Sequence, residues 1–394
     1  MLGTLWRLLF RRIAGVRGSG GTEPRRAEVL ISADLSVNRE RIGSAFGNSP
    51  DLVTRDLWTG ARGRISALVI HIDGLVDKRL LAEAVVERIT GLQLEWTDPA
   101  QAYEDLKTRL LASSGVEEVD TLGEFIGGIA RGDAGVLVDG VAKGLVCALR
   151  GWEQRSVEEP TTESTVRGSK EGFVEALRTN TSLLRRRIMS PQLWIEEVTI
   201  GRITRTRVAI AYIAGVVNED IVEEVRNRLK RIDVDAIHES GNIEEFIEDA
   251  PLSPFPTIAR TERPDRVAGA LTDGRVAILT DGTPFVLIVP ATFTMFLTSS
   301  EDYYERYFAG SAIRLLRIAA FFISLTLPAL YVAVTTFHQE MLPTPLVMSI
   351  AAQREGIPFP AVVEALLMEF VFETLREAGI RLPRVVGQAV SIIG

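Results

Sequence analysis

The hydrophobic positions of residues 51–291 form short apolar runs that alternate with stretches of helical spacing, and this order occurs twice. Ile65–Ile72 is an apolar run that ends in a turn signal, and Lys78–Ile89 follows with apolar residues at helical intervals. The same order returns in Val208–Ile213 and Glu219–Ile232. Each pattern predicts a strand, a tight turn and a helix.

Equivalent positions of the two stretches carry equivalent residues. Gly74 and Gly215 occupy the turn, and Asp77 and Asn218 occupy the predicted helix N-cap, a position where short polar side chains accept a backbone hydrogen bond. Further along, each stretch contains an Asp-Gly pair between two β-rich runs, where glycine supplies the positive φ that a hairpin turn needs. The two pairs are Asp139-Gly140 and Asp281-Gly282.

Two similar helical patterns precede the predicted hairpins, at Leu122–Ile126 and Ile243–Ile247. We assign the apolar stretch Phe285–Thr298 to the second sheet because it is short and follows a hairpin turn. The connecting region contains Lys170–Arg187, which has helical spacing and ends in three arginines. These arginines either suit the helix dipole or bind an acidic partner surface or lipid headgroups.

The predicted fold class is α/β, with two tandem α/β subdomains followed by an α-helical transmembrane region. The subdomains arose by duplication, or they are two common α/β units that resemble each other by coincidence. The predicted boundaries are 1–50 for a basic leader and linker, 51–151 for the first subdomain, 152–192 for a connecting helical segment, 193–300 for the second subdomain and 301–394 for the membrane region.

Ile318–Phe337 contains no charged residue. About 20 residues form a helix of about 30 Å, which matches the hydrocarbon core of a bilayer. Arg314 and Arg317 precede this run, and the next basic residue is Arg354, so the positive-inside rule places the soluble part in the cytoplasm. The alternative is a buried helix of a soluble domain.

Three further segments follow the predicted span. Met341–Ala352 is too short to cross and predicts a turn or a re-entrant segment, and Val385–Gly394 predicts an incomplete span. Between them, Pro360–Ala378 predicts a helix that carries Glu364, Glu369 and Glu373. These carboxylates either line a water-filled pore or face a partner, or they form the solvated side of a helix at the membrane interface.

Composition excludes several classes of function. The net charge of −8 argues against nucleic acid as a partner. One cysteine and three histidines provide few ligands for a metal centre. The sequence contains no P-loop, dinucleotide-binding fingerprint or nucleophile elbow. We therefore predict no enzymatic activity, no cofactor and no metal. The apolar, basic stretch Met1–Arg17 predicts either a helix at the membrane surface or a disordered leader.

A series of ordered motifs resembles the A subunit of the GerA family of bacterial spore germinant receptors. The motifs include Glu159-Pro160-Thr161-Thr162-Glu163, Leu183-Leu184-Arg185-Arg186-Arg187-Ile188, Ser253-Pro254-Phe255-Pro256, Thr261-Glu262-Arg263-Pro264-Asp265 and Glu301-Asp302-Tyr303-Tyr304-Glu305-Arg306.

The resemblance implies a subunit of a receptor in the spore inner membrane that works with B and C subunits to convert nutrient binding into ion release. It also implies a multi-pass protein with a cytoplasmic N-terminal domain, whose copies assemble into a ligand-gated channel. Family members continue past the position of Gly394, so the resemblance implies a chain that is C-terminally incomplete. The alternatives are a membrane-anchored scaffold that conducts nothing and, more remotely, an α/β enzyme.

Overall fold

The computed structural model describes residues 29–59, 65–90, 98–111, 115–151, 160, 163, 165, 167–253, 255–354 and 359–381. The chain divides into two compact units, Met1–Phe296 and Leu297–Gly394. The predicted leader Met1–Arg17 and the predicted incomplete span Val385–Gly394 lie outside the described residues.

The first unit contains two five-stranded sheets with the same topology, and every neighbouring pair of strands is antiparallel. The first sheet has the order β1-β2-β4-β5-β3 and the second has the order β6-β7-β9-β10-β8. The strands are β1 Leu52–Thr59, β2 Ile65–Ile72, β3 Val116–Val119, β4 Ala134–Val138, β5 Gly144–Cys147, β6 Leu193–Ile200, β7 Thr206–Ile213, β8 Ala259–Thr261, β9 Val276–Thr280 and β10 Val286–Val289.

Helices cover both faces of each sheet, which explains why the central strands are apolar at nearly every position. The helices of this unit are α1 Leu35–Ala45, α2 Lys78–Leu81, α3 Glu87–Thr90, α4 Pro99–Leu111, α5 Leu122–Ala130, α6 Leu177–Arg187, α7 Glu219–Arg231, α8 Ser240–Ile247, α9 Pro264–Thr272 and α10 Phe293–Phe296. A π-helical turn, Ala82–Val86, joins α2 to α3.

Alternate side chains of a strand point to opposite faces, so each central strand serves two cores. In β2, Ala67 and Val69 pack with α2–α4, whereas Leu68 and Ile70 pack with α1 and α5. In the second sheet, α6 and α9 cover one face while α7 and α8 cover the other. The predicted fold class of two tandem subdomains is confirmed.

Local signals were located correctly in both subdomains. Asp77 accepts hydrogen bonds from two backbone N–H groups at the start of α2, and Asn218 accepts one at the start of α7. Gly74 and Gly215 have φ values of 89° and 79°. The two Asp-Gly pairs lie in the turns of the β4–β5 and β9–β10 hairpins.

Two buried asparagines, one in each subdomain, form the same pair of hydrogen bonds. Asn38 accepts a hydrogen bond from Ser32 N (2.9 Å) and donates to Ser32 O (2.7 Å). Asn180 makes the same two bonds to Val174, at 2.8 and 2.6 Å. Both side chains belong to residues with 0% exposure. The likeness of topology and of this detail favours duplication over coincidence.

Three sequence-based assignments were wrong in extent or correspondence. Leu122–Ile126 and Ile243–Ile247 are both helical, but they are not equivalent. The helix between the outer strand and the hairpin is α5 in the first subdomain and α9 in the second. The assignment failed because the two segments share an apolar spacing that does not encode their place in the topology.

The other two errors concern where elements begin and end. Of Phe285–Thr298, only β10 belongs to the sheet, because Pro290 directly after it lacks the N–H that a strand ladder requires. Of Lys170–Arg187, only α6 is helical. The residues directly before α6 belong to no helix or strand, and Phe173 N donates to Glu262 O at 2.7 Å.

The second unit is helical. It comprises α11 Glu301–Tyr304, α12 Tyr307–Thr336, a 3₁₀ turn at Gln339–Met341, α13 Thr344–Arg354 and α14 Ala361–Arg381. Among the described residues, α12 is the one helix long and apolar enough to cross a membrane. Its 30 residues give a length of about 45 Å, and it begins well before the predicted Ile318. A helix, α13, occupies most of Met341–Ala352, for which the sequence predicted a turn or a re-entrant segment.

Candidate coupling interface between the two subdomains

The two subdomains meet along helix α6, which belongs to the core of the second sheet but turns one face to the first subdomain. Leu177 and Leu184 pack into the second core. Arg178, Ser182 and Arg185 are spaced by four and three positions, so they share a face of the helix. Each of these three side chains approaches or binds residues of the first subdomain.

A buried ion pair lies at the centre of this interface. Arg185 donates through Nε to Oδ2 of Asp51 at 2.8 Å and through Nη2 to Oδ1 at 2.9 Å. Its Nη1 donates to the carbonyl of Leu193 at 2.6 Å, and its guanidinium carbon lies 5.7 Å from the centre of the Phe46 ring. Both charged side chains are 1% exposed. The planar guanidinium therefore satisfies both carboxylate oxygens in a dry environment.

The loop before β1 covers the outer edge of β6. Ser49 Oγ accepts a hydrogen bond from Ile195 N at 3.0 Å and donates to Phe46 O at 2.6 Å. Trp194 Nε1 donates to Ala45 O at 3.2 Å. An uncovered edge strand is a template for unwanted pairing, and these contacts cover the beginning of β6 at the edge of the second sheet.

Glycine permits the close approach of this loop to β6. Gly47 has a φ of 62°, in the left-handed region that favours glycine. A Cβ at this position would lie 2.3 Å from Cδ2 of Trp194. No side chain fits between the loop and the indole ring.

A second set of contacts lies along the same face of α6. Arg178 Nε lies 3.4 Å from Asp73 Oδ2 in the first subdomain, and its Nη2 lies 3.2 Å from Glu197 Oε1 in the second. A Cβ on Gly74 would lie 3.0 Å from Ser182 Cβ. The interface is thus charged at two points and tightly packed between them.

The other arginines that end α6 are also paired within the unit. Arg186 Nη2 lies 2.7 Å from Glu171 Oε1, and Arg187 Nη2 lies 3.0 Å from Glu171 Oε2. From the sequence, these arginines were predicted either to interact with the helix dipole or to bind an acidic partner surface or lipid headgroups. The structure instead assigns all three arginines to internal carboxylates, which sequence reasoning missed.

A second buried arginine fastens the connecting segment to the second subdomain. Arg263 binds Asp265 at 2.7 and 3.1 Å and donates to the carbonyls of Glu163 and Ser169, each at 3.1 Å. It also donates to Thr165 Oγ1 at 2.9 Å. Its side chain is 2% exposed. The Thr261–Asp265 motif therefore has a structural role, which is to hold the chain that leads into α6.

The carboxylates predicted as pore or partner residues all lie on α14 in the second unit. Glu369 and Glu373 are one helical turn apart and share a face, whereas Glu364 lies on a different side of the helix at 100° per residue. Glu373 is paired with Arg376 and its side chain is 55% exposed. Glu364 is partly buried. The three carboxylates are therefore not brought together at one point.

No group of three or more metal-ligating side chains occurs among the residues that the structure describes. Cys147 is buried in the first core. His71 is also buried, and desolvation lowers its pKa below the ordinary value for histidine. Neither residue belongs to a cluster that suggests chemistry.

These features define a class of protein in which a unit of two interlocked subdomains precedes a helix of membrane-spanning length. The family model of the Bacillus/Clostridium GerA spore germination protein matches residues 40–394. The chain belongs to this family, and the resemblance seen in the sequence motifs is confirmed.

Known relatives agree with this assignment. Spore germination protein KA of Bacillus subtilis (strain 168) is 47% identical over 366 residues, which are 93% of this chain and 67% of that protein. Spore germination protein B1 of the same organism is 41% identical over 366 residues, 92% of this chain and 74% of that protein. These similarities support a role in spore germination.

The fold agrees with a solved structure. The crystal structure of the N-terminal domain of the A subunit of the Bacillus megaterium spore germinant receptor GerK3 is 35% identical, with a TM-score of 0.52. The match covers 68% of this chain and 99% of that chain. The two-subdomain architecture is therefore that of a germinant-receptor A-subunit domain.

Proposed function

We propose that this chain is the A subunit of a nutrient germinant receptor in the spore inner membrane, where it couples germinant sensing to ion release as part of a ligand-gated channel complex. The observation that carries the proposal is similarity across more than nine-tenths of the chain to proteins of spore germination. The relatives' names identify germination proteins rather than enzymes, which argues against the α/β enzyme alternative.

The geometry fits a coupling role in one specific way. The buried Asp51–Arg185 pair lies at the centre of the contacts that hold the two subdomains together. Packed interfaces of this kind transmit a displacement instead of absorbing it. A ligand or partner that moves one subdomain would therefore move the other, and the chain continues from the second subdomain towards α12.

The proposal includes the setting of the receptor. We infer that the soluble unit is cytoplasmic, because Arg314 and Arg317 precede the uncharged part of α12. We also infer that B and C subunits are partners, that copies of this chain form a homo-oligomer around the pore and that further spans complete a multi-pass protein. Nucleic acid is not a partner of this acidic chain.

Complementation of germination tests the proposal. A strain that lacks all such receptors would receive the gene of this chain together with genes for B and C subunits, and nutrient-triggered ion release from its spores would be measured. We expect release with the complete set and none when this chain is omitted. We also expect the three subunits to co-purify from spore membranes. Absence of nutrient-triggered release despite membrane expression of all three would refute the function.

The second candidate function, a non-conducting scaffold, is favoured by the ion pairing and exposure of Glu373 on α14. Neutralising Glu364, Glu369 and Glu373 one at a time to glutamine separates the two functions. If these carboxylates line the ion path, at least one substitution changes ion flux, whereas a scaffold leaves all three fluxes at the wild-type value. Glu223→Gln, at an exposed position of α7, is the matched control.

A further inference from the structure

The short helix α11 lies against the start of α12 within the second unit, and one acidic residue holds the two together. Asp302 of α11 is buried, and its side chain is 2% exposed. Arg317 of α12 donates through Nη1 to Oδ2 of Asp302 at 2.7 Å and through Nη2 to Oδ1 at 3.1 Å. The contact is bidentate, which fixes orientation as well as distance.

Backbone groups of the segment before α11 complete the site. Ser299 N donates to Asp302 Oδ2 at 3.1 Å, and Arg317 Nη1 donates to the carbonyl of Leu297 at 2.8 Å. The same arginine therefore binds both a side chain of α11 and the chain that enters it. We call Leu297, Ser299, Asp302, Arg314 and Arg317 the α11–α12 clamp.

Arg314 adds a second positive charge to the clamp. It precedes Arg317 by three positions and so lies on the same side of α12. Its Nε lies 3.7 Å from Asp302 Oδ2, and its guanidinium carbon lies 5.1 Å from the centre of the Tyr303 ring. The two arginines that precede the predicted span thus converge on one carboxylate of the protein.

Gly310 shows that the approach of the two helices is close in the backbone as well. It is buried in the first turn of α12. A Cβ at this position would lie 2.4 Å from the carbonyl oxygen of Asp302. Any other residue at position 310 would push α11 away, so the clamp depends on steric fit and not on charge alone.

The clamp lies directly before the uncharged run of α12. Arg317 is the last charged residue before the uncharged run Ile318–Phe337. The chain passes from the first unit to this run through residues 297–306, and the clamp holds that segment against the base of the membrane helix. A segment that was free would absorb a displacement by bending, whereas a clamped segment passes it on to α12.

We propose that Asp302 is a positioning residue that fixes α11 to α12 and thereby transmits displacements of the soluble unit to the membrane helix. The proposal deepens the coupling function proposed above and rests on it. Removing the carboxylate should uncouple the receptor: the chain folds, reaches the membrane and assembles, but nutrient no longer triggers ion release at the normal rate.

Two variants test the clamp by different physical routes. Asp302→Asn keeps the shape of the side chain but removes the charge that both arginines bind. Gly310→Ala keeps every charge and displaces α11 sterically. In the full chain in lipid nanodiscs, we expect both variants to raise amide hydrogen exchange in residues 297–306 by about tenfold or more, because local opening there becomes easier. Glu305→Gln, an exposed neighbour in the same motif, is the control with the same loss of charge.

Spores that carry the same variants supply the functional readout. With membrane levels equal to wild type, we expect nutrient-triggered ion release to slow by at least about tenfold in Asp302→Asn and Gly310→Ala and to stay normal in Glu305→Gln. Unchanged hydrogen exchange in both variants, or faster exchange with normal ion release, would overturn the inference. A wild-type chain that releases no ions would instead overturn the proposed function, so the two failures are distinguishable.

Discussion

Replacing Arg185 with leucine should separate the two subdomains from each other. The substitution removes both hydrogen bonds to Asp51 and the bond to the carbonyl of Leu193. It leaves the carboxylate of Asp51, whose side chain is 1% exposed, without its counter-charge. Because an unpaired buried charge is far costlier than an unpaired exposed one, the interface must either open to water or lose stability.

The expected loss follows from the burial of the pair. Breaking a buried ion pair by removing one partner costs about 3–5 kcal/mol, whereas replacing both partners with apolar residues is often close to neutral. The double variant Asp51→Leu/Arg185→Leu should therefore be more stable than Arg185→Leu alone. This order is the signature of a buried pair, because a loss of packing alone would grow with each substitution.

Urea unfolding of the soluble unit, residues 29–296, measures these free energies. The corresponding domain of the GerK3 A subunit was crystallised as a separate domain, so we expect this fragment to fold on its own. Trp194 lies in the interface and donates its indole N–H to Ala45. In a fragment whose other tryptophans, Trp58, Trp96 and Trp152, are replaced by phenylalanine, its fluorescence reports separation of the subdomains. We expect this signal to change at lower urea concentration in Arg185→Leu than in the wild type.

Arg202→Leu is the matched control. Arg202 also forms a bidentate ion pair, with Asp233, but its side chain is 63% exposed. Because an exposed ion pair contributes little to stability, its removal should leave the urea midpoint close to the wild-type value. The reasoning fails if Arg185→Leu is as mild as this control, or if the double variant loses as much as the two single variants together.

Two further predictions concern single residues of the first unit. Gly47→Ala should destabilise the subdomain interface, because its Cβ would clash with Trp194, and a wild-type urea midpoint would contradict this. Hydrogen bonds from Lys107 and Lys143 lower the pKa of Glu118 from 4.5 to about 2. The ionised Glu118 therefore stabilises the folded state above about pH 4.5, and this stabilisation is lost as the pH falls towards 2. Glu118→Gln should flatten this acid dependence in urea unfolding, and an unchanged profile would refute the assignment.

Features encoded by neighbouring residues could be predicted from the sequence. β2 was located at Ile65–Ile72 without error, because a continuous apolar run bounded by turn residues is a local signal. The N-caps at Asp77 and Asn218 were also correct, since capping depends on one side chain and the next two or three N–H groups. The uncharged run of α12 could also be predicted, because it is a property of consecutive residues.

Features that depend on distant partners could not be predicted. Asp51 and Arg185 are 134 positions apart, and nothing near Asp51 distinguishes it from an exposed turn residue. The arginine run at the end of α6 was visible, but its partners were not. Similarly, Arg317 served only to orient the predicted span by the positive-inside rule, because its sequence neighbours do not reveal that its guanidinium binds Asp302.

The interface between the two subdomains arises from a difference between two otherwise similar repeats. When the two repeats are aligned so that Asn38 matches Asn180, Gly43 matches Arg185. A Cβ on Gly43 would lie 2.8 Å from Asn48 Oδ1, so a side chain at this position would displace the Asn48 amide, whereas the second subdomain carries its buried arginine at the equivalent position. The contact is therefore heterologous: the loop before β1 of one repeat meets α6 of the other. Such an interface fixes one order and one orientation of the two repeats. The coupling role proposed above requires this if a displacement is to travel in a defined direction towards the membrane helix.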